Sequence, residues 1–318
     1  NVAFNNTGTV NVQQGSLSFQ GAGLTNNGAV TIANGATLQF STGTATFNSA
    51  STAAAGIFGV SGGTLNFSAP HTISGTGTFA QSSGQVVGSN LTLGPALTTN
   101  ISFGAHSGSG TTTVQGTTAI SSNGLYLDGG RVFRNEGTLT QTGTLDLNNR
   151  LVGVFEAGNG SVLNAAGGTW NVSGGATFAN NQGGADNGAG AAFTNAGTYN
   201  KVGVGSTVVN VAFNNTGTLN VQQGSLSLGN GGTHAGGFDI ASGATLSLSG
   251  GTHNFNGGAV TSSGTLQISS GVVNVNTNFN VEGTTQISAG TLNLGSLANS
   301  SSGALTQTGG QVSGTGNL

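Results

Sequence analysis

The chain has 318 residues, with 61 glycines, 2 prolines and no cysteine, and only 3 % of it is charged, for a formal net charge of −3. So few charges exclude a nucleic-acid footprint or a basic membrane patch, and the missing thiol excludes disulfides, thiolate metal sites and thiol nucleophiles. No apolar run approaches the roughly 18 residues of a membrane-spanning helix.

Residues 1–18, NVAFNNTGTVNVQQGSLS, return at 210–227 with one change, Val10 to Leu219. Inside this long repeat lies a shorter one. Laying FNNTGTVNVQQGSLSF from Phe4 over LTNNGAVTIANGATLQF from Leu24 puts Val10 on Val30 and Val12 on Ile32. The frame Phe/Leu-x-Asn-x-Gly-x-apolar comes back at Phe133 (FRNEGTL), Phe193 (FTNAGTY) and Phe213 (FNNTGTL), with a looser copy at Leu163 (LNAAGGTW). Asn6, Asn26, Asn135, Asn195 and Asn215 are thereby expected at one structural position, and Gly8, Gly28, Gly137, Gly197 and Gly217 at another. An Asn followed two residues later by Gly suits a bend with positive φ at one or both. Such recurrence favours a purely structural role.

Between these frames run short alternating strands such as Leu65-Asn66-Phe67, Leu91-Thr92-Leu93 and Leu292-Asn293-Leu294. Sixteen phenylalanines and a phased pattern oppose disorder. A turn of about twenty residues, carrying two or three strands closed by Gly or Asn bends, stacks on its neighbours through parallel pairing. The expected fold is all-β: a parallel β-helix, or β-solenoid, of about sixteen turns. Residues 1–318 form one continuous solenoid on this reading, 1–209 being the first long repeat and 210–318 a partial second. Alternation sends Val10, Val12, Leu17, Phe19, Val30, Ile32, Leu38 and Phe40 inward and Thr9, Asn11, Ser16 and Ser18 outward. No signal-like segment precedes Asn1 and both ends fall inside the pattern, so a longer natural polypeptide is expected.

Charge is clustered. Asp128, Arg131, Arg134, Glu136, Asp146, Arg150 and Glu156 are seven of the eleven charged residues. Offsets of 18 to 20 (Asp128 to Asp146, Arg131 to Arg150, Glu136 to Glu156) are expected to place several on one face of adjacent turns. That arrangement gives a solvated ion-pair ladder, a lateral docking patch or a carbohydrate groove. A polysaccharide-processing β-helix enzyme is the alternative, with Asp128, Glu136, Asp146 and Glu156 supplying an acid and a base. Only Tyr126, Phe133 and Phe155 lie near as aromatic platforms, and the frame turns Phe133 inward.

His71, His106, His234 and His253 share no motif, and His234 and His253 are read at turn or outward strand positions. The loop GGADNG at 183–188 resembles a calcium-binding turn in a single copy and is better read as an insertion between turns. Thr-x-Thr pairs at Thr7/Thr9, Thr42/Thr44/Thr46, Thr76/Thr78, Thr138/Thr140/Thr142/Thr144 and Thr216/Thr218 raise ice binding. Their uneven spacing favours ordinary surface β-propensity instead.

The frame as it stands in FNNTGTL, FRNEGTL and FTNAGTY, with trailing strands such as GATLQF and GTLNL, resembles repeats of bacterial autotransporter passengers and filamentous-haemagglutinin-like adhesins. The resemblance covers most of the chain and implies export through the outer membrane and display at the cell surface. The chain is thus expected to be a non-enzymatic extracellular β-solenoid without cofactor or metal, the adhesive shaft of a surface protein or a self-assembling filament. Its expected partners are copies of itself and surface glycans.

Overall fold

The computed structural model describes residues 3–21, 23–148, 159–180, 190–296 and 300–316. Its strands pair in parallel as a β-solenoid of about 14 turns of about 20 residues. The count falls below sixteen partly because some turns are longer: Asn171 stacks on Asn200 across 29 residues. Two compact units are present, Asn1–Val162 with Asn180–Ala191, and Leu163–Ala179 with Ala192–Leu318.

In the first unit each turn carries three strands. Phe4–Asn6, Thr9–Val12 and Ser16–Phe19 are followed by Leu24–Asn26, Ala29–Ile32 and Thr37–Phe40. The second set stacks on the first like on like: Phe4 on Leu24, Val10 on Val30, Leu17 on Leu38 and Phe19 on Phe40. Further along, two of the three strands run together, as in Ile57–Phe67 and Thr78–Gly88, with positive-φ glycines at their bends (Gly63 68°, Gly84 73°). Each burial of a Phe or Leu side chain contributes about 1.5–3 kcal/mol. Phe19, Phe40, Phe58 and Phe79 form a run of rings with centroids 5.2–5.9 Å apart.

Val30, Ile32, Leu38 and Phe40 are buried, and Thr9, Asn11, Ser16 and Ser18 are exposed, as alternation demands. Val10, Leu17 and Phe19 depart from expectation, Leu17 being 37 % exposed and Val10 and Phe19 half-buried. Among the described residues, their turn is paired on one side only.

The second unit repeats the device. Leu226, Leu246 and Leu266 stack in one column and Leu228, Leu248 and Ile268 in the next. Trp170, Phe193, Tyr199 and Phe213 meet edge-on and stacked with centroids 5.1–5.4 Å apart. Tyr199 is fully buried and its hydroxyl makes no hydrogen bond among the described residues, and burial pushes its ionisation far above the usual range. An unmatched buried hydroxyl costs stability. Tyr199→Phe is therefore expected to raise stability by about 1 kcal/mol in a chemical denaturation series, and a loss of stability would show the hydroxyl to be satisfied.

The Asn-x-Gly frame works differently from its expected mechanism. Asn6 Nδ2 donates to Gly8 O (3.2 Å) while Gly8 N donates to Asn6 Oδ1 (3.1 Å), and Asn135 makes the same pair of bonds with Gly137. The side chain thus caps its own corner. Yet Asn6 and Asn26 sit on one ladder of strands, whereas Asn135, in Val132–Asn135, sits on the ladder of Thr111–Val114, so the frame marks a kind of corner rather than one position. Nor do Gly8, Gly28, Gly137, Gly197 and Gly217 appear among the positive-φ glycines. Four of them are needed for another reason. A Cβ on Gly28, Gly137, Gly197 or Gly217 would lie 1.7–2.2 Å from a carbonyl oxygen of the preceding turn.

The frame asparagines also bond along the stack. Asn6 Nδ2 donates to Asn26 Oδ1 at 2.7 Å, and Asn195 and Asn215 join Asn164 in a fully buried ladder with steps of 2.7 and 2.8 Å, which sets the looser copy one residue earlier than the frame from Leu163. Outward ladders accompany them: Asn171–Asn200–Asn220 and Asn254–Asn274–Asn293, with steps of 2.7–2.9 Å. A stacked amide satisfies one donor and one acceptor per turn without water.

Candidate functional site

The charged segment does not form one face. Asp128, Arg131 and Asp146 are buried, whereas Arg134 and Glu136 lie at the surface; Arg150 and Glu156 fall outside the described residues, as do Phe155 and the 183–188 loop. The correction follows from strand parity. In Arg131-Val132-Phe133-Arg134 the inward Phe133 sends Arg131, two residues before it, to the same side and Arg134 outward. Asp146 breaks parity, since Leu145, Asp146 and Leu147 are all buried; the strand Thr144–Asp146 ends there, and Asn148 N donates to Asp146 Oδ1 at 3.4 Å.

Arg131 is the centre of an interior polar network. Its Nη1 donates to Gly88 O (2.9 Å) and Ser89 O (3.0 Å), two turns back, and its Nε and Nη2 both donate to Thr112 Oγ1 (3.1 and 2.9 Å), one turn back. Thr112, accepting twice, spends its own proton on His106 Nδ1 (2.9 Å). That fixes the tautomer, and His106 Nε2–H donates to Gln81 Oε1 at 2.8 Å. Gly110 makes room for the guanidinium, because a Cβ there would stand 2.6 Å from Nη1. Burial lowers Arg131 to about 10, and burial together with the adjacent guanidinium holds His106 well below its usual range. Arg131 therefore rivets three successive turns.

At the surface, Arg134 Nε meets Glu136 Oε1 at 2.5 Å and Gln115 Nε2 donates to Glu136 Oε2 at 3.0 Å. The bonds from Gln115 and Arg134 hold Glu136 below the usual carboxylate range, so it is ionised at neutral pH. An exposed pair of this kind contributes little. Glu136→Gln is expected to change stability by less than about 1 kcal/mol, and a larger loss on denaturation would show that the pair anchors the segment. As chemistry, the described residues of the segment offer one surface carboxylate, Glu136, already committed to a cation, while Asp128 and Asp146 are buried.

Sequence reasoning missed the interior polar residues. All four histidines are buried, including His234 and His253, which were expected at the surface. In Thr252-His253-Asn254-Phe255 the buried Phe255 again signals the inward side of His253. Lys201 likewise follows Tyr199 inward, stacking between Val172 and Val221, with its ammonium donating to Gly203 O and to Gln223 O (3.1 Å). Burial lowers its pKa. His71 is held between Thr52 Oγ1 (3.0 Å) and Ser49 O (2.6 Å).

Among the described residues no group of three or more His, Cys, Asp or Glu stands together as a metal site, and no helix is long and apolar enough to cross a membrane. An open groove of about 550 Å³ in the first unit runs past Asn11, Thr31, Ala53 and Gly75, far along the chain from the charged segment. The outward threonines do not make a double array. Beside Thr117 and Thr138 the neighbouring outward column reads Gln39, Gly59, Ala80, Asn100, Ala119 and Thr140. Comparison with protein-family models, curated proteins and solved structures returned no match.

Proposed function

We propose that this chain is a structural and adhesive β-solenoid, the repeating shaft of a large extracellular surface protein, of the kind that autotransporter passengers and haemagglutinin-like adhesins build. One observation carries the proposal: like stacks on like, turn after turn, inside and out, with amide and hydroxyl columns on the surface in place of charge. A parallel ladder shares load over many backbone hydrogen bonds. A column of amides at ~4.8 Å spacing offers the same contact repeatedly, which suits glycans or neighbouring copies of the shaft. A polysaccharide-processing centre finds less support among the described residues, because, of its four carboxylates, Asp128 and Asp146 are enclosed and Glu136 is paired, Glu156 lying outside them. Ice binding also finds less, because the threonine column has no matching partner column.

Removing one turn tests a shaft. Thr265 pairs with Thr284 and Ile268 with Ile287, so excising residues 265–283 joins equivalent corners. The shortened chain, displayed on cells, is expected to fold and to retain adhesion to glycan-coated surfaces. If excision abolishes adhesion while the fold persists, a discrete site rather than a repeating surface is responsible.

A further inference from the structure

We propose that the stacked pair His234–His253 is an acid-opened joint, at which mild acid separates adjacent turns of the second unit while the flanking turns stay stacked. His234 ends the strand Gly232–His234 and His253 lies in Thr252–Phe255, the next strand on the same ladder. Their rings are 16° from parallel, His234 Nε2 lies 3.1 Å from His253 Nδ1, and both residues are wholly buried. A Cβ on Gly232, opposite His253 in register, would stand 1.8 Å from Phe213 O and 3.3 Å from His234 Cε1, so the turn before and the His234 ring leave no room for a side chain there.

The surroundings cannot receive charge. Phe238 and Phe255 close on His234 at 5.0 and 4.6 Å between centroids, with Asn215 in register on one side, and Val273 follows His253 on the other. The packed strands Ala212–Asn215, Ser225–Leu228, Thr245–Leu248 and Val272–Val275 carry no titratable side chain, and Asp239, on Gly237–Ile240, is exposed on the outer face. The carbonyls of Leu228 and Gly250 near His253 offset its burial only in part, and among the described residues neither His234 Nδ1 nor His253 Nε2 makes a hydrogen bond. One shared proton satisfies the contact. Protonating both rings would put an N–H against an N–H at 3.1 Å, and the turns must then part.

Burial holds His234 down to about 3, helped by His253, and His253 to about 4. Both values are depressed from 6.5, so above about pH 6.5 the pair is neutral open or closed and stability is unaffected. Below it the open state binds protons that the closed state refuses, and stability falls until the pH reaches the depressed values. Two such rings shift the opening equilibrium on the order of 500-fold between pH 7 and pH 5. Opening stays local because each turn of a solenoid touches only its neighbours.

The test is amide exchange on the whole chain at pH 7 and pH 5, corrected for intrinsic rates, beside a variant carrying His234→Asn and His253→Leu. Those residues continue the columns of Asn215 and of Leu292. Protection in 232–234 and 252–255 is expected to drop by two to three orders of magnitude in the native chain at pH 5, and the drop is expected to vanish in the variant. Equal protection at both pH values in the native chain, or the same drop in the variant, would overturn the proposal. Should the variant not fold, ring-proton NMR of the native chain decides. Neither ring should titrate near 6.5 while its strand stays protected, and a ring that does so contradicts the joint.

Discussion

Gly28→Ala is expected to cost about 3–5 kcal/mol, while Gly8→Ala, the same frame position one turn earlier, is expected to change stability by less than about 1 kcal/mol. Neither glycine has the positive φ that would require it. The difference lies in what each would touch. A Cβ on Gly28 stands 1.7 Å from Gly8 O, 2.7 Å from Gly8 C and 2.9 Å from Asn6 Nδ2. The first two are backbone and cannot swing aside, so the strands must separate. Separation breaks the bond from Ala29 N to Gly8 O (3.0 Å) and strains the Asn6–Asn26 amide step. A Cβ on Gly8 meets Asn6 Oδ1 at 3.9 Å and nothing closer. Chemical denaturation of both variants checks this, and a Gly28→Ala chain within 1 kcal/mol of the parent would show that axial crowding is not what holds glycine there.

Thr112→Val is expected to be nearly as damaging, at about 3–5 kcal/mol, although the two side chains match in shape. The hydroxyl accepts from Arg131 Nε and Nη2 and donates to His106 Nδ1. Valine leaves two guanidinium donors and an imidazole acceptor without partners in an interior closed to water. Thr113→Val, on the outward side of the same strand, is expected to change stability by less than about 0.5 kcal/mol. A Thr112→Val chain as stable as Thr113→Val would mean that water enters the network and that Arg131 is not the rivet its geometry indicates.

These two positions show what the sequence revealed and what it hid. Strand alternation and the twenty-residue phase were legible because a half-buried strand has a period of two and a coil repeats its length, so Val10 over Val30 and Leu17 over Leu38 could be paired by eye. The frame glycines were visible but their cause was not, since crowding by the preceding turn depends on axial closeness that one turn's sequence does not carry. Charge misled for a different reason. Spacing of 18 to 20 places residues on adjacent turns, yet parity within each strand decides inside from outside, and parity was available: Phe133 fixes Arg131, Tyr199 fixes Lys201 and Phe255 fixes His253. Polar side chains were assigned to the surface by type, whereas a solenoid interior of stacked like residues can enclose them once their bonds close from turn to turn. Asp146, flanked by two buried leucines, followed no such rule.

The account rests on turns that add their strength one by one, and pulling single molecules by their two ends tests this most directly. The expected trace is a series of small, nearly equal releases of about 65 Å, the length freed when about twenty residues leave the stack. A single event releasing more than a hundred residues would contradict a shaft of independent turns and point to one cooperative core.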